Sequence, residues 1–373
     1  MLNHNWQRAD WTLLHHLPLA MACAFFLASP CSAATWTLRT QPARLVNGGP
    51  VLFQVKSPAK LESLTGTWFG HEITFSYSSS TKAWFALAGV SFETSPGKYT
   101  LELKATPPAN RAPLTLSRTF PVSAAKYPKI EAKLTVEGKF TEPSPEQLKQ
   151  IDEDQKVKQD YLNRVTADRE WNGTFTAPAD ATISDVFGSQ RIFNGKAQRP
   201  HFGLDFRVPS GTPVTAMNDG TVLLARPLYF EGNFVVLDHG QGLLTLYLHL
   251  SEFKVKEGDF VKRGQIVGLS GGTGRATGPH LHVAVRWQGI YLDPARLMQL
   301  SLPTVERKDE RRSLPQPTGQ LAPRTSRSLA QSLVQSVFQT QIPDQPVQVI
   351  WVYAENRRRL DIIPPRLHDR VEN

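Results

Sequence analysis

Between positions 243 and 250 the chain reads Leu-Leu-Thr-Leu-Tyr-Leu-His-Leu, a strict alternation with a period of two residues. That period belongs to a β-strand and not to a helix. Leu244, Leu246, Leu248 and Leu250 form one apolar face, and Thr245, Tyr247 and His249 form an opposite, chemically equipped face. Glycine-punctuated text of this kind runs from about residue 171 to about residue 300. Within it, residues 255–259 followed by 261–268 read as a hairpin and its return.

A second strand-rich stretch covers residues 34–128. Short alternating runs at 51–55, 73–77, 83–87 and 99–103 are separated by Gly, Pro, Ser and Asn clusters, the pattern of a small antiparallel sandwich. In the second run Ile73, Phe75 and Tyr77 are expected to share a face. His71 stands alone there and reads as a surface or turn residue. Residues 129–170 form a linker containing a charged helix. Ser144 is placed as its cap, Pro145 as its first residue and Gln147 as the partner in a capping box. The helix is expected to run to about Asp168 as a modest amphipathic connector, with Leu148, Ile151, Leu162 and Val165 as its apolar positions. The fold class is therefore mainly β, in two β units joined by a short helical connector.

The first 33 residues resemble a secretory signal: Arg8, an apolar run from Leu17 to Leu27, and small residues at Cys31-Ser32-Ala33. That run is short for a bilayer span. Cys23 and Cys31 are the two cysteines of the chain, so a chain cleaved near Ala34 has neither disulfide nor thiolate ligand. The expected location is across the inner membrane, in the periplasm or cell envelope, with no stable membrane insertion after cleavage. Residues 301–373 begin as a Pro-rich linker. A helical stripe at Leu329, Leu333 and Val337 and a strand over 347–353 make this tail a candidate to dock on a domain or a protein partner. The net charge of +9 suits an acidic polymer. Charge alone does not choose between a wall polymer and nucleic acid, but no nucleic-acid motif accompanies it.

Five of the ten histidines fall between positions 201 and 282. His201 is followed at four residues by Asp205, His249 closes the alternating run, and His280-Leu281-His282 places two imidazoles on one strand face. His239 sits in a turn and reads as a structural residue. A hydrolytic zinc site takes three protein ligands from imidazole and carboxylate and keeps a fourth position open. The glycine stretch 271–278 opens a strand and not a helix, so it reads as a turn and not as a nucleotide loop. Lys256, Lys262 and Arg263 read as a solvated rim.

The motifs H-x-x-x-D, Y-x-H-L and H-x-H resemble those of the lysostaphin-type zinc endopeptidases, which cut peptidoglycan cross-links. The resemblance covers roughly residues 171–300 and touches Phe187-Gly188, Arg191 and Asn194-Gly195. It implies one Zn2+ held by His201, Asp205 and His282, with His249 and His280 as catalytic histidines. It also implies an antiparallel β fold with an open groove, and peptidoglycan as the substrate, with D-Ala–diaminopimelate cross-links favoured over glycine bridges. The 34–128 sandwich is similar to the accessory domain of Gram-negative secreted members. Three rivals remain: a non-catalytic wall-binding or amidase-activating member of the same fold, a lipoyl-type carrier suggested by Val-x-x-Gly-Asp, and a basic nucleic-acid binder. A carrier lacks its modifiable tip lysine here, and a nucleic-acid binder leaves the histidine set unexplained.

Overall fold

The computed structural model describes residues 35–108, 111–128 and 131–304. The expected signal segment, and the tail elements expected at 329–337 and 347–353, lie outside the described residues. Among the described residues no helix is long and apolar enough to cross a membrane.

The architecture is mainly β. The N-terminal region forms two facing sheets. Thr37–Gln41, Pro50–Lys56, Ala83–Gly89 and Ser76–Ser78 make a four-stranded sheet. Leu45–Val46, Leu114–Ser123, Gly97–Thr106, Ser63–Trp68 and His71–Thr74 make a five-stranded one. Phe53 and Trp68 meet edge to face between the sheets at 5.2 Å. The run expected as a single strand over 73–77 is divided at Phe75, because His71–Thr74 pairs in one sheet and Ser76–Ser78 in the other. Ile73 and Phe75 are buried while Tyr77 is 48% exposed, so the expected shared face does not continue past the break.

The second region is built on an eight-stranded sheet. Its main path runs Ile183–Asp185, Leu204–Phe206, Leu281–Trp287, Leu243–Leu250, Gly232–Asp238, Gly220–Leu228 and Phe260–Val261. Both faces of its centre are covered. Tyr247, Val283 and Val285 point into the large core, and Leu244, Leu246 and Ala284 into a second cluster on the other face. The face of Leu243–Leu250 expected to carry chemistry is therefore mostly core. Tyr247 Oη accepts a hydrogen bond from the Met217 amide at 2.9 Å and lies 3.0 Å from the Thr245 hydroxyl. Burial pushes the Tyr247 phenol up to about 12. The expected hairpin over 255–268 is not one: Phe260–Val261 pairs with Gly220–Leu228, whereas Ile266–Leu269 joins Pro213–Thr215 and Glu252–Phe253 in a separate sheet.

Helix α1 (Pro145–Leu162) begins with the expected capping box on Ser144 and Gln147. It ends at Leu162, six residues earlier than expected, because Leu162 is seated in the second cluster and Thr166 turns away to donate to Asp238 at 3.0 Å. Leu148 and Val165, expected on the apolar stripe, are 48% and 56% exposed. Ile151 and Leu162 are buried as expected, and Val157 and Tyr161 pack beside Leu162.

The large core is continuous between the two β regions, joining Leu52, Phe53 and Trp68 to Trp287 and Leu292. A side chain at Gly89 would meet Leu292 at 2.6 Å, and the Asp293 amide donates to the Gly48 carbonyl at 2.8 Å. His71, expected as an isolated surface residue, lies 5.1 Å from the Trp287 ring and donates to Gln288 Oε1 at 3.2 Å.

His239 is fully buried, donating from Nδ1 to the Asp219 carbonyl and accepting at Nε2 from Thr245, both at 2.7 Å. Desolvation pushes its imidazole down to about 4. In the unfolded chain the same ring protonates near 6.5, so between pH 6.5 and 4 the unfolded state binds more protons and stability falls as pH falls. The full loss is about 3 kcal/mol. Denaturant unfolding of His239→Gln should show a flatter acid limb than the parent across this window. Superimposable pH profiles would contradict this.

Candidate metal centre

The centre forms where Leu204–Phe206 pairs antiparallel with Leu281–Trp287, which sets Asp205 directly opposite His282. His201 arrives in the extended segment just before, pinned by its amide to the Ser189 carbonyl at 2.8 Å and by its carbonyl to the Gly188 amide at 2.7 Å. Gly203 lies between them. A Cβ there would come within 2.6 Å of the His282 ring and of the Val283 carbonyl, so only glycine lets this segment pass so close.

His201 donates from Nδ1 to the Val186 carbonyl at 3.0 Å, which leaves Nε2 facing the centre. That Nε2 lies 2.9 Å from His282 Nδ1 and 3.2 Å from Asp205 Oδ1, and the last two atoms are 2.8 Å apart. Bonds of 2.0–2.1 Å in a tetrahedral site would hold neighbouring donors about 3.3 Å apart, so these three atoms sit a few tenths of an ångström from a zinc ligand triangle. His201, Asp205 and His282 are a group whose ligand atoms all lie within 4.8 Å, all three buried. Two imidazoles and one carboxylate are also a donor set that zinc accepts.

Electrostatics favour the ligating forms. Burial opposes the charge of Asp205, but the adjoining His201 and His282 rings overcome it and hold the carboxyl well below the usual carboxylate range. Burial pushes His282 down to about 4, so the ring is neutral at neutral pH with a lone pair available. The second oxygen of Asp205 is taken by Arg191 Nη2. Arg191 also holds Asp185 through Nε at 2.8 Å, and Asp185 in turn accepts from Ser189 Oγ at 2.6 Å. This arrangement turns Asp205 Oδ1 toward the histidines.

His249 and His280 stand beside the triangle. His280 donates from Nδ1 to the Gly278 carbonyl at 2.8 Å and points Nε2 inward, 3.9 Å from Asp205 Oδ1. His249 donates from Nδ1 to the Thr273 carbonyl at 2.8 Å, with its ring centre 4.9 Å from that of His280 and 6.1 Å from that of His282. Simple alternation would put His249 on the core face with Thr245 and Tyr247. A bulge prevents this: Val235 pairs with Tyr247 while Asn233 pairs with Leu250, so Leu248 and His249 together oppose Phe234. His249 takes φ 64°, and its ring is brought round to the face that carries His280 and His282. The left-handed conformation costs about 1–2 kcal/mol in a residue with a Cβ. Burial, followed by the nearby charges of His280 and His282, pushes His249 down to about 3.

All five residues expected from the sequence thus converge. Asp185 and Thr273 were not expected, and neither carries a motif that would mark it. Arg191 lay within the resemblance but without a role. A β scaffold presenting a His-Asp-His cluster with two more imidazoles alongside is the layout of a metallopeptidase domain. Residues 199–294 match the model of peptidase family M23, so the chain carries a domain of that family.

The chain is 45% identical over 122 residues to peptidoglycan DD-endopeptidase ShyA of Vibrio cholerae, covering 32% of this chain and 28% of that protein. It is 43% identical over 124 residues to DD-carboxypeptidase/endopeptidase Mpg of Neisseria meningitidis, covering 33% and 28%. The chain thus spans under a third of the length of these curated relatives. A crystal structure of an M23 peptidase from Pseudomonas aeruginosa superposes with a TM-score of 0.53 at 29% identity, covering 68% of this chain and 95% of that one.

Replacing Arg191 with Leu frees the outer oxygen of Asp205 and leaves Asp185 without its cation. Zinc affinity measured by chelator competition should fall about 10–100-fold, as it does when outer partners of ligands are removed. An unchanged dissociation constant would show that Arg191 does not orient the ligand.

Proposed function

We infer that the chain is a zinc-dependent endopeptidase that hydrolyses peptide cross-links of peptidoglycan in the cell envelope. The observation that carries this reading is the approach of His201 Nε2, Asp205 Oδ1 and His282 Nδ1 to within 3.2 Å of one another, with two further imidazoles alongside. His201, Asp205 and His282 are the zinc ligands in this reading. His249 and His280 are the catalytic histidines. The D-Ala–diaminopimelate bond is the favoured cut, supported by the DD-endopeptidase names of the relatives. Entry to the envelope would use the N-terminal signal segment, and the net charge of +9 suits a substrate rich in carboxylates.

Zinc, when bound, supplies a Lewis acid that polarises a carbonyl and lowers the pKa of water to about 7. The protein supplies proton handling. Both flanking histidines spend Nδ1–H on backbone carbonyls, at Thr273 and Gly278, and so present Nε2 to the reacting groups. One of these two imidazoles accepts a proton from the attacking water at Nε2. The resulting imidazolium stabilises the developing oxyanion and returns the proton to the departing amine. The pair shares these duties. The non-catalytic alternative finds no support in the site, since none of the five positions is replaced.

Two variants separate the roles. His282→Ala should lose zinc. His249→Ala should retain stoichiometric zinc while the digestion of purified peptidoglycan slows about 10²–10⁴-fold. Metal analysis and mass spectrometry of the released muropeptides read both. Digestion by His249→Ala at the parent rate would remove it from the mechanism, and the absence of cleaved cross-links with the parent would remove the function itself.

A further inference from the structure

A half-buried carboxylate and a half-buried ammonium meet where helix α1 lies against the second β region. Lys158 Nζ contacts Glu231 Oε1 at 2.7 Å, and the two side chains are only 17% and 16% exposed. The other oxygen of Glu231, Oε2, is buried and has no hydrogen-bond partner among the described residues, so Lys158 is the cation in direct contact with that charge, with the Arg275 guanidinium acting on it from further off. One turn earlier on α1, the buried Asp154 accepts from the Tyr229 amide at 2.6 Å, and Gln150 orients the same carboxylate at 2.8 Å. The helix thus grips the 229–233 turn at two points, while its apolar side chains pack on Leu224, Phe234 and Leu246.

That turn holds His249. The His249 amide donates to the Glu231 carbonyl at 2.9 Å. On its other side the turn abuts the loop that receives the His249 imidazole. The Arg275 amide donates to the Phe230 carbonyl at 2.8 Å, and the Asn233 amide donates to Thr273 Oγ1 at 2.9 Å. A Cβ at Gly274 would lie 2.3 Å from the Gly232 nitrogen, so the two backbones touch. A left-handed, bulged histidine keeps one orientation only if its surroundings over-determine it. Here the restraints are traced back to one helix.

We propose that α1 is part of the catalytic apparatus: Asp154 and Lys158 are positioning residues that hold the 229–233 turn and, through it, the orientation of His249. The helix read from sequence as a connector is then a brace. This rests on the role given to His249 above, but its structural part is tested without activity. Hydrogen exchange on the zinc-loaded full chain, read by mass spectrometry, should show the 229–233 and 247–250 amides exchanging about tenfold faster or more in Lys158→Met. Protection of 281–287 should be unchanged, and Lys158→Arg should restore protection. If Lys158→Met does not fold, Glu231→Gln makes the same measurement with its size preserved. On peptidoglycan, kcat should fall about tenfold or more with KM and zinc content retained, because the group displaced acts on the reacting atoms and not on binding. Unchanged exchange at 229–233 and 247–250 overturns the proposal. So does an equal loss of protection in Lys149→Ala, an exposed position on the same helix, since that would mark general loosening. If exchange responds while the parent itself cuts no cross-links, the brace stands and the peptidase reading fails.

Discussion

The antiparallel pairing that sets Asp205 across from His282 is the constraint on which the centre depends. It fixes one carboxylate and one imidazole on neighbouring strands, each paired on both sides within the sheet. His201 needs only the short approach across Gly203 to complete the triangle. Desolvation of these groups is costly unless each is paired. Arg191 and Asp185 offset that cost with a chain of hydrogen bonds behind the carboxylate. The same burial keeps the His282 imidazole neutral, which is the form a cation binds.

His249 shows how far local pattern reading goes. Period two placed His280 and His282 on one face, and both rings do approach Asp205, although the regular strand begins only at Leu281. The same rule placed His249 beside Thr245 and Tyr247, and those two residues are core. The departure comes from a one-residue bulge opposite Phe234. A bulge depends on the partner strand, and no feature of residues 243–250 announces it. The motif exposed the residue's chemistry while hiding its geometry. Asp185 and Thr273 are silent for a related reason. Thr273 acts through its backbone carbonyl on a residue 24 positions away, and Asp185 acts on the centre through Arg191.

The same division holds for the fold. The mainly β class, the strand text and the Ser144 capping box were legible, since each rests on neighbours within a few residues. The division of the 73–77 run at Phe75 was not, because it follows from two sheets competing for adjacent residues. The end of α1 at Leu162 was set by a pocket in the second β region. The false hairpin near residue 260 arose because turn chemistry marks a reversal without naming the partners on either side.

The seam between the two β regions bears on how the protein can be handled. Leu292 lodges where Gly89 leaves room, and Trp287 is covered by the opposite region's core and by His71. A fragment cut at residue 171 to isolate the peptidase would present these greasy side chains to water. Such a fragment invites self-association unless polar replacements are grafted onto the newly bared surface.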